Sequence, residues 1–263
     1  MTLLKGKMAV IGCGNMGGAF LAGVIRAERI TPKQITVTSR TIETLNSLHE
    51  RFGVSGTLDN KLAVNEADLV VFSVKPNVLL EVLEELKESL KGKLVISLVP
   101  GVTIDQIQNI IGGEAVVRAM PNLPVACGEG VIGYLRNEYV DAEMDKVLRE
   151  FLEDLGLVVE VMLDHDLEII TLFMGCGPGV VAALIVEMTK KAREFGLPEA
   201  VASSLVMQVF YGTMDYLRET ALLPEELLQE VATKNGVTEA IVKSLEKNVF
   251  DKPYTAGAKK LFS

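Results

Sequence analysis

The sequence has few of the side chains that build disulfides, metal sites or conventional acid–base centres. Its 263 residues include only three cysteines and two histidines. The cysteines, Cys13, Cys127 and Cys176, have neither paired nor metal-ligand spacing, so we expect reduced thiols in a cytoplasmic protein. His49 and His165 accompany no recognisable triad or metal spacing, so solvated histidines are favoured over catalysts. We therefore predict no metal, and a site built from backbone and hydroxyl groups.

Basic residues and long apolar runs are also scarce. Lys and Arg total 26 against 35 Asp and Glu, a formal charge of -9, which argues against a nucleic-acid partner. No apolar run is expected to reach the roughly 18 residues of a membrane span, and the first apolar segment leads directly into a turn. We therefore expect neither a membrane partner nor a signal peptide. The chain has room for one large domain or two ordinary ones with a substantial core.

The most informative segment is a glycine-rich turn between an apolar strand and an apolar helix near the start of the chain. It reads Gly12-Cys13-Gly14-Asn15-Met16-Gly17. Gly12 permits a tight turn, Gly14 lets a pyrophosphate approach the backbone, and Gly17 allows close packing of helix on strand. The helix N-terminus then offers free N–H groups to phosphates. This context favours dinucleotide binding over a purely structural turn, and an acidic protein must place its basic groups locally to bind such an anion.

The end of the second predicted strand, 34–38, indicates which dinucleotide is preferred. A site for NAD usually has Asp or Glu there to bind the ribose 2′-hydroxyl, but this chain has Ser39 and Arg40, with no carboxylate before Glu43. Both side chains suit a 2′-phosphate, so we predict NADPH, without excluding NADH. A solvated arginine at a helix start is the alternative, although a cation there opposes the helix dipole unless an anion is bound.

Strand and helix patterns alternate through the first part of the chain and then stop. Apolar strands at 69–74, 93–98 and 114–119 each end in a polar or proline turn, as parallel strands do at a ligand crevice. Further strands at 130–135 and 158–161 complete the predicted sheet. From about Asp164 the patterns are helical, with a break expected where Pro178 interrupts the apolar stretch 167–188. We predict an α/β domain over residues 1–163 and a helical domain over residues 164–263.

A polar turn at 233–238 offers a second candidate site. Free N–H groups around Gly236 and the hydroxyl of Thr238 are suited to a carboxylate-bearing substrate. A helix cap with no ligand is the alternative, and the residues alone favour it.

Several short motifs together resemble the pyrroline-5-carboxylate reductase family in their order and spacing over nearly the whole chain. They are Gly12-Cys13-Gly14-Asn15-Met16-Gly17, Ser39-Arg40, Asp59-Asn60, Val74-Lys75-Pro76, Gly101-Val102-Thr103, Met120-Pro121-Asn122, Gly177-Pro178 and Gly236-Val237-Thr238. The resemblance implies reduction of a cyclic imine to proline by NAD(P)H, as in proline biosynthesis. It also implies an α/β fold with an N-terminal Rossmann-type dinucleotide-binding domain and an all-helical C-terminal domain that packs between subunits.

The resemblance also implies a role for each matching residue. Ten residues are expected around the cofactor: Gly12, Gly14, Asn15, Met16, Ser39, Arg40, Asn60, Val74, Lys75 and Pro76. The expected substrate residues are Gly236, Val237 and Thr238, with the Thr238 hydroxyl on the imine nitrogen. The helical half is too apolar for helices that cover only one another, which predicts a homodimer or a higher homo-oligomer.

The sequence departs from the family pattern at two places. The family's substrate turn usually reads Pro-Gly-Gly, then Thr or Ala, then Thr, whereas this chain has Asn235 and Val237 around Gly236. Asn tolerates a left-handed backbone, so we expect Asn235 to preserve the turn. The other departure is Cys176, where the family usually has Ser. A reductase of another cyclic imino acid and a non-catalytic NADP-binding protein therefore stay open as alternatives.

Overall fold

The computed structural model describes residues 6–245 and 249–261, so the predicted domain ends at residues 1 and 263 lie outside the described residues. The chain divides into two compact units, Met1–Pro178 and Gly179–Ser263. The strands of the described residues all lie in the first unit, and the second unit is helical. The predicted fold class is confirmed.

The first unit is built on one sheet with the strand order β3-β2-β1-β4-β5-β6-β7-β8. The strands are β1 Met8–Ile11, β2 Ile35–Thr38, β3 Ser55–Thr57, β4 Leu69–Phe72, β5 Leu94–Ser97, β6 Ala115–Pro121, β7 Gly130–Arg136 and β8 Gly156–Glu160. β1, β4 and β5 are apolar and buried at nearly every position, as a parallel sheet covered on both faces requires. The order reverses between β1 and β4, and this switch point opens a crevice at the carboxyl edge of the sheet.

Helices cover both faces of this sheet. They are α1 Asn15–Arg26, α2 Ile42–Phe52, α3 Asn60–Asn65, α4 Pro76–Leu86, α5 Ile104–Ile111, α6 Ala142–Glu153 and α7 Asp164–Met174. α1, α2 and α6 bury apolar side chains such as Phe20 and Phe151 in the core on one face. α3, α4, α5 and α7 bury side chains such as Leu79 and Leu167 on the other. The carboxyl edge between the two layers stays open for a ligand.

The last two strands reverse the sheet direction. β1 to β6 are parallel, whereas β7 pairs antiparallel with β6, and β8 runs parallel to β7. The connection from β6 to β7 contains only a short 3₁₀ turn, Leu123–Cys127, which is capped by Gly128 with a φ of +77° two residues before β7 begins. A parallel crossover needs a dozen or more residues, so this short connection forces an antiparallel partner.

Helix α7 is attached to β6 near both of its ends. The side chain of Arg118 is fully buried, and its guanidinium donates to Asp164 and, at 2.7 Å, to Glu168. Near the other end, the Asn122 amide donates to the Met174 carbonyl at 3.1 Å. α7 therefore packs within the first unit, although the predicted domain boundary at residue 163 lies just before it.

The second unit leaves most of its apolar side chains exposed. Its helices are α8 Gly177–Glu194, which begins at the end of the first unit, α9 Glu199–Thr220, α10 Pro224–Val231, α11 Val237–Ser244 and α12 Asp251–Leu261. Among the described residues of this unit, only Ala202 and Val206 are buried apolar side chains. Phe195 is 85% exposed and Tyr211 is 66% exposed. Among the described residues, these helices therefore bury few of their apolar side chains against one another.

The expectation that no apolar run approaches membrane length is wrong for the segment that joins the two units. Asp164–Glu194 contains an 18-residue window with a mean hydropathy of 2.3, long and apolar enough by composition to cross a membrane. The sequence pattern showed the apolar stretch 167–188, but the break expected at Pro178 was taken to divide it into shorter pieces. The segment is not one regular helix, because α7 ends at Met174 and α8 begins at Gly177. The expected break therefore falls just before Pro178.

Candidate functional site

A cleft of about 430 Å³ lies at the carboxyl edge of the sheet, where β1, β2 and β4 end. It is lined by Ile11, Gly12, Cys13, Gly14, Thr38, Ser39, Arg40, Thr44, Leu58, Asn60, Ser73, Val74, Lys75, Val78 and Val82. The switch point of a doubly wound sheet is the usual place for a dinucleotide. The position of the cleft alone thus indicates a nucleotide site.

The glycine turn forms the floor of this cleft in the predicted manner. Gly12 has a φ of +75°, and a Cβ there would lie 2.7 Å from the Val74 side chain, so no larger residue fits. A Cβ at Gly17 would lie 3.1 Å from the Gly12 carbonyl and 2.9 Å from the Ser73 hydroxyl, which shows how closely α1 approaches the strands. At Gly14 nothing lies within 4 Å of such a Cβ, so the backbone is open to a ligand.

The N-terminus of α1 is prepared for an anion. Gly14 is its N-cap and supplies no side-chain acceptor, and the first turn contains no acidic residue. The first N–H groups of a helix have no partner within the helix, and they lie at the positive end of its dipole. A pyrophosphate placed at this turn satisfies these donors.

The charge of the cleft is opposite to that of the whole protein. Arg40 and Lys75 line it, both are exposed, and no Asp or Glu is among the lining residues. Neither cation has an ion-pair partner among the described residues. In a chain with a formal charge of -9, this local arrangement favours an anionic ligand.

Each of these two cations lies at the N-terminus of a helix. Thr41 is the N-cap of α2, and its hydroxyl accepts from the Thr44 N–H at 3.4 Å, so Arg40 lies directly before a helix N-terminus. Lys75 is itself the N-cap of α4. Cations are unfavourable at such ends unless an anion lies between them.

Seven of the ten predicted cofactor residues line the cleft, and Asn15, Met16 and Pro76 do not. Those three instead form the first residues of α1 and α4. The sequence reasoning missed several lining residues, among them Thr38, Thr44, Leu58 and Ser73. Thr38 and Ser73 occupy or follow the last positions of β2 and β4, so a search of all strand ends would have found them. Contact of each of these residues with a cofactor stays a prediction.

The strand end after β6 has a structural role in the first unit. Of the three turns predicted at the ligand edge, only the one after β4 lines the cleft. In place of the predicted Met120-Pro121-Asn122 turn, Met120 and Pro121 continue β6 as its last two residues, and both are buried, as is Asn122. Asn122 accepts from the Val131 N–H at 2.8 Å while it donates to α7.

The scarce cysteines and histidines do not add reactive groups to this cleft. Burial raises the pKa of the Cys13 thiol to about 11, so it stays protonated near neutral pH. Cys127 and Cys176 are free and exposed. The His49 ring nitrogen Nδ1 lies 2.9 Å from the Val54 carbonyl and so ties the end of α2 to the following loop.

In the second unit, the predicted substrate residues form the start of α11. Asn235 has a φ of +62°, which confirms the left-handed backbone expected at this residue of the turn. Gly236 is the N-cap, and a Cβ there would lie 2.9 Å from the Thr233 carbonyl. Val237 is the first helical residue and is 79% exposed.

Thr238 is half-buried and occupies the second position of α11, not the capping position. The cap hydrogen bond that Ser or Thr makes from the N-cap is therefore not its role. The backbone N–H of Asn235 donates to the Glu239 carboxylate at 2.8 Å. The hydrogen bond from Lys243, followed by that from the Asn235 backbone, lowers the pKa of Glu239. Glu239 thus stays charged and holds the turn closed.

Comparisons with known proteins cover both units. Residues 7–101 match the family described as NADP oxidoreductase coenzyme F420-dependent, and residues 164–261 match pyrroline-5-carboxylate reductase dimerisation. The pyrroline-5-carboxylate reductase of Corynebacterium melassecola is 33% identical over 246 residues, 92% of this chain and 90% of that protein. The Escherichia coli K12 enzyme of the same name is 30% identical over 249 residues, 94% and 92% of the two chains.

Solved structures of pyrroline carboxylate reductases are also similar to this chain. A pyrroline-5-carboxylate reductase from Coxiella burnetii has a TM-score of 0.84 and 32% identity, covering 97% of this chain and 96% of that one. A Plasmodium falciparum pyrroline carboxylate reductase with NADP bound has a TM-score of 0.86 and 25% identity, covering 97% and 95%.

Proposed function

The chain belongs to the pyrroline-5-carboxylate reductase family, and we propose that it reduces Δ1-pyrroline-5-carboxylate to L-proline with NADPH, as a step of proline biosynthesis. The observation that carries this function is the cleft at the switch point of the sheet. Its glycine floor is open at Gly14, and its charged lining residues, Arg40 and Lys75, are both cations. This is the lining that a dinucleotide phosphate requires.

The cofactor is held by groups of the first unit. The free N–H groups at the start of α1 bind the pyrophosphate, next to the bare backbone of Gly14. Ser39 and Arg40 bind the 2′-phosphate at the end of β2, which favours NADPH over NADH. Lys75 adds a second cation on the β4 side of the cleft.

The substrate is held by the start of α11. Its first N–H groups receive no side-chain cap, because the N-cap is Gly236. They bind the substrate carboxylate, and the Thr238 hydroxyl accepts from the protonated imine nitrogen. Bound NADPH supplies the hydride that reduces the imine carbon. A protonated imine is already electrophilic, so the chain needs to supply position and electrostatics, not a strong acid.

The active form is a homodimer or a higher homo-oligomer. Exposed apolar side chains extend over α8 and α9, as Val186, Leu205 and Met214 illustrate. A second copy of the chain covers these helices, and this accounts for the apolar segment Asp164–Glu194 without a membrane. We place the protein in the cytoplasm, with neither a nucleic acid nor a membrane among its partners.

A reductase of another cyclic imino acid is the second candidate. It is favoured by Val237, whose apolar side chain is 79% exposed beside the proposed substrate site. A side chain without a hydroxyl there suits a larger or less polar ring.

One assay separates these functions. NADPH oxidation is followed with five-membered and six-membered cyclic imino acids as substrates, each at several concentrations. The proposed function requires the highest kcat/KM with Δ1-pyrroline-5-carboxylate. A higher value with a six-membered ring would favour the second candidate, and cofactor binding without turnover of either would point to a non-catalytic protein.

A further inference from the structure

Thr38 is a cleft residue that the glycine motif and the family resemblance both pass over. It is the last residue of β2, pairs with Ile11 in the parallel ladder, and is 2% exposed. Thr38 is among the residues that line the cleft, and its Oγ1 lies 3.3 Å from the backbone nitrogen of Gly12.

The position of this hydroxyl follows from the turn. β1 ends at Ile11, and the chain turns away at Gly12, whose φ is +75°. The Gly12 N–H therefore points toward β2 beyond the last ladder pair, where a partly buried donor needs an acceptor. Thr38 supplies that acceptor, and so fixes the turn that binds the pyrophosphate.

The hydroxyl hydrogen of Thr38 remains available for a further hydrogen bond. A threonine hydroxyl donates one hydrogen bond as well as accepting. The bond from Gly12 occupies the oxygen as an acceptor, and no acceptor for the Thr38 hydroxyl hydrogen occurs among the described residues. A buried hydroxyl on a residue that lines a cleft, with its donor unused, indicates a ligand oxygen as the missing acceptor.

We propose that Thr38 binds the cofactor directly, by donating its hydroxyl to an oxygen of the ribose–pyrophosphate part of the dinucleotide. This inference rests on the proposed function, because it takes the cleft as the dinucleotide site. Thr38 stands between Gly12, at the pyrophosphate turn, and Ser39, at the 2′-phosphate. The part of the cofactor between these two points is common to NADPH and NADH. Thr38 therefore contributes affinity without choosing between the two cofactors.

The test compares Thr38→Val with Thr38→Ser and with the control Thr36→Val. Thr36 lies two residues earlier on the same strand, is half-buried, and does not line the cleft. The Kd values of NADPH and NADH are measured directly by fluorescence titration, and the Tm of each variant is measured without ligand.

We expect Thr38→Val to weaken NADPH and NADH alike, by about three- to tenfold, the effect of one lost hydrogen bond. Thr38→Ser should restore most of this affinity, and Thr36→Val should leave both Kd values unchanged. If Thr38→Val folds poorly, Thr38→Cys keeps a side chain of similar size with a much weaker donor, and it should weaken both cofactors too.

A lower Tm with both Kd values unchanged would overturn the inference and leave Thr38 as a residue that only shapes the turn. Weakening confined to NADPH would also overturn it, because the contact would then be to the 2′-phosphate. A wild-type protein that binds neither cofactor would instead overturn the proposed function itself.

Discussion

Replacing Arg40 by alanine tests how the cleft chooses its cofactor. Arg40 lines the cleft directly before the N-cap of α2, and the 2′-phosphate exists only in NADPH. A hydrogen bond to a charged group contributes about 1.5–3 kcal/mol. Arg40 is exposed to solvent, which screens its charge, so we expect the lower part of that range, about 1.5–2 kcal/mol. This corresponds to roughly a ten- to thirtyfold rise in the Kd and KM of NADPH.

The assay measures KM for NADPH and for NADH in parallel, with Kd from fluorescence titration. The Kd and KM of NADH should change by less than about twofold, because NADH has no 2′-phosphate for Arg40 to bind. The difference between the cofactors should shrink as salt is raised, since the Debye length falls from about 10 Å at 0.1 M to about 3 Å at 1 M. Lys33→Ala is the matched control, because Lys33 is an exposed cation near the same strand that does not line the cleft.

Two results would refute the reasoning. Equal losses for NADPH and NADH would show that Arg40 contacts a part common to both cofactors. A loss of the same size in Lys33→Ala would show that only the general charge of this surface matters.

Three further predictions concern the substrate, the assembly and the fold. Thr238→Ala should lower kcat/KM by about ten- to a hundredfold and leave the affinity for NADPH nearly unchanged. Thr238→Ser should recover much of the lost kcat/KM. Full activity of Thr238→Ala with a lower Tm would show that Thr238 has only a structural role. Sedimentation at micromolar concentration should show at least a dimer, and a monodisperse, active monomer would exclude this. Arg118→Met should lower the free energy of unfolding in urea by about 3 kcal/mol at fixed protein concentration, because it leaves two poorly exposed carboxylates unpaired. Glu168→Gln, which keeps an acceptor for the guanidinium, should cost less, and an equal or larger loss would contradict the account.

The sequence was sufficient to predict the cleft because its parts follow local rules. Gly12 needs a positive φ, and apolar runs such as β4 are readable as buried parallel strands. Parallel strands bring their carboxyl ends to one edge, which is why Gly12, Arg40 and Lys75 line the same cleft despite their separation along the chain. The left-handed conformation of Asn235 was predictable from a local rule too, since Asn is one of the few residues that adopt it readily.

Features that depend on partners elsewhere in the chain were not predictable. β3 is a three-residue edge strand, Ser55–Thr57, without a buried apolar side chain, so its pairing with β2 left no pattern. In the sequence, Thr38 is one more β-branched residue of a strand. The role of its hydroxyl depends on the Gly12 N–H of the neighbouring turn, which the sequence pattern does not identify. The ion pairs of Arg118 join residues that are 46 and 50 positions apart, and an isolated arginine in an apolar strand does not identify such partners.

The attachment of α7 to β6 also bears on the design of a fragment that carries the nucleotide cleft by itself. A piece ending at the last strand would separate the fully buried guanidinium of Arg118 from both of its carboxylates. It would also uncover the sheet surface beside Gly133, which Leu167 and Ile170 contact closely. A recombinant fragment, or a chimera that exchanges the helical half for that of a relative, should therefore keep α7 and be joined between Met174, where α7 ends, and Gly177, where α8 begins.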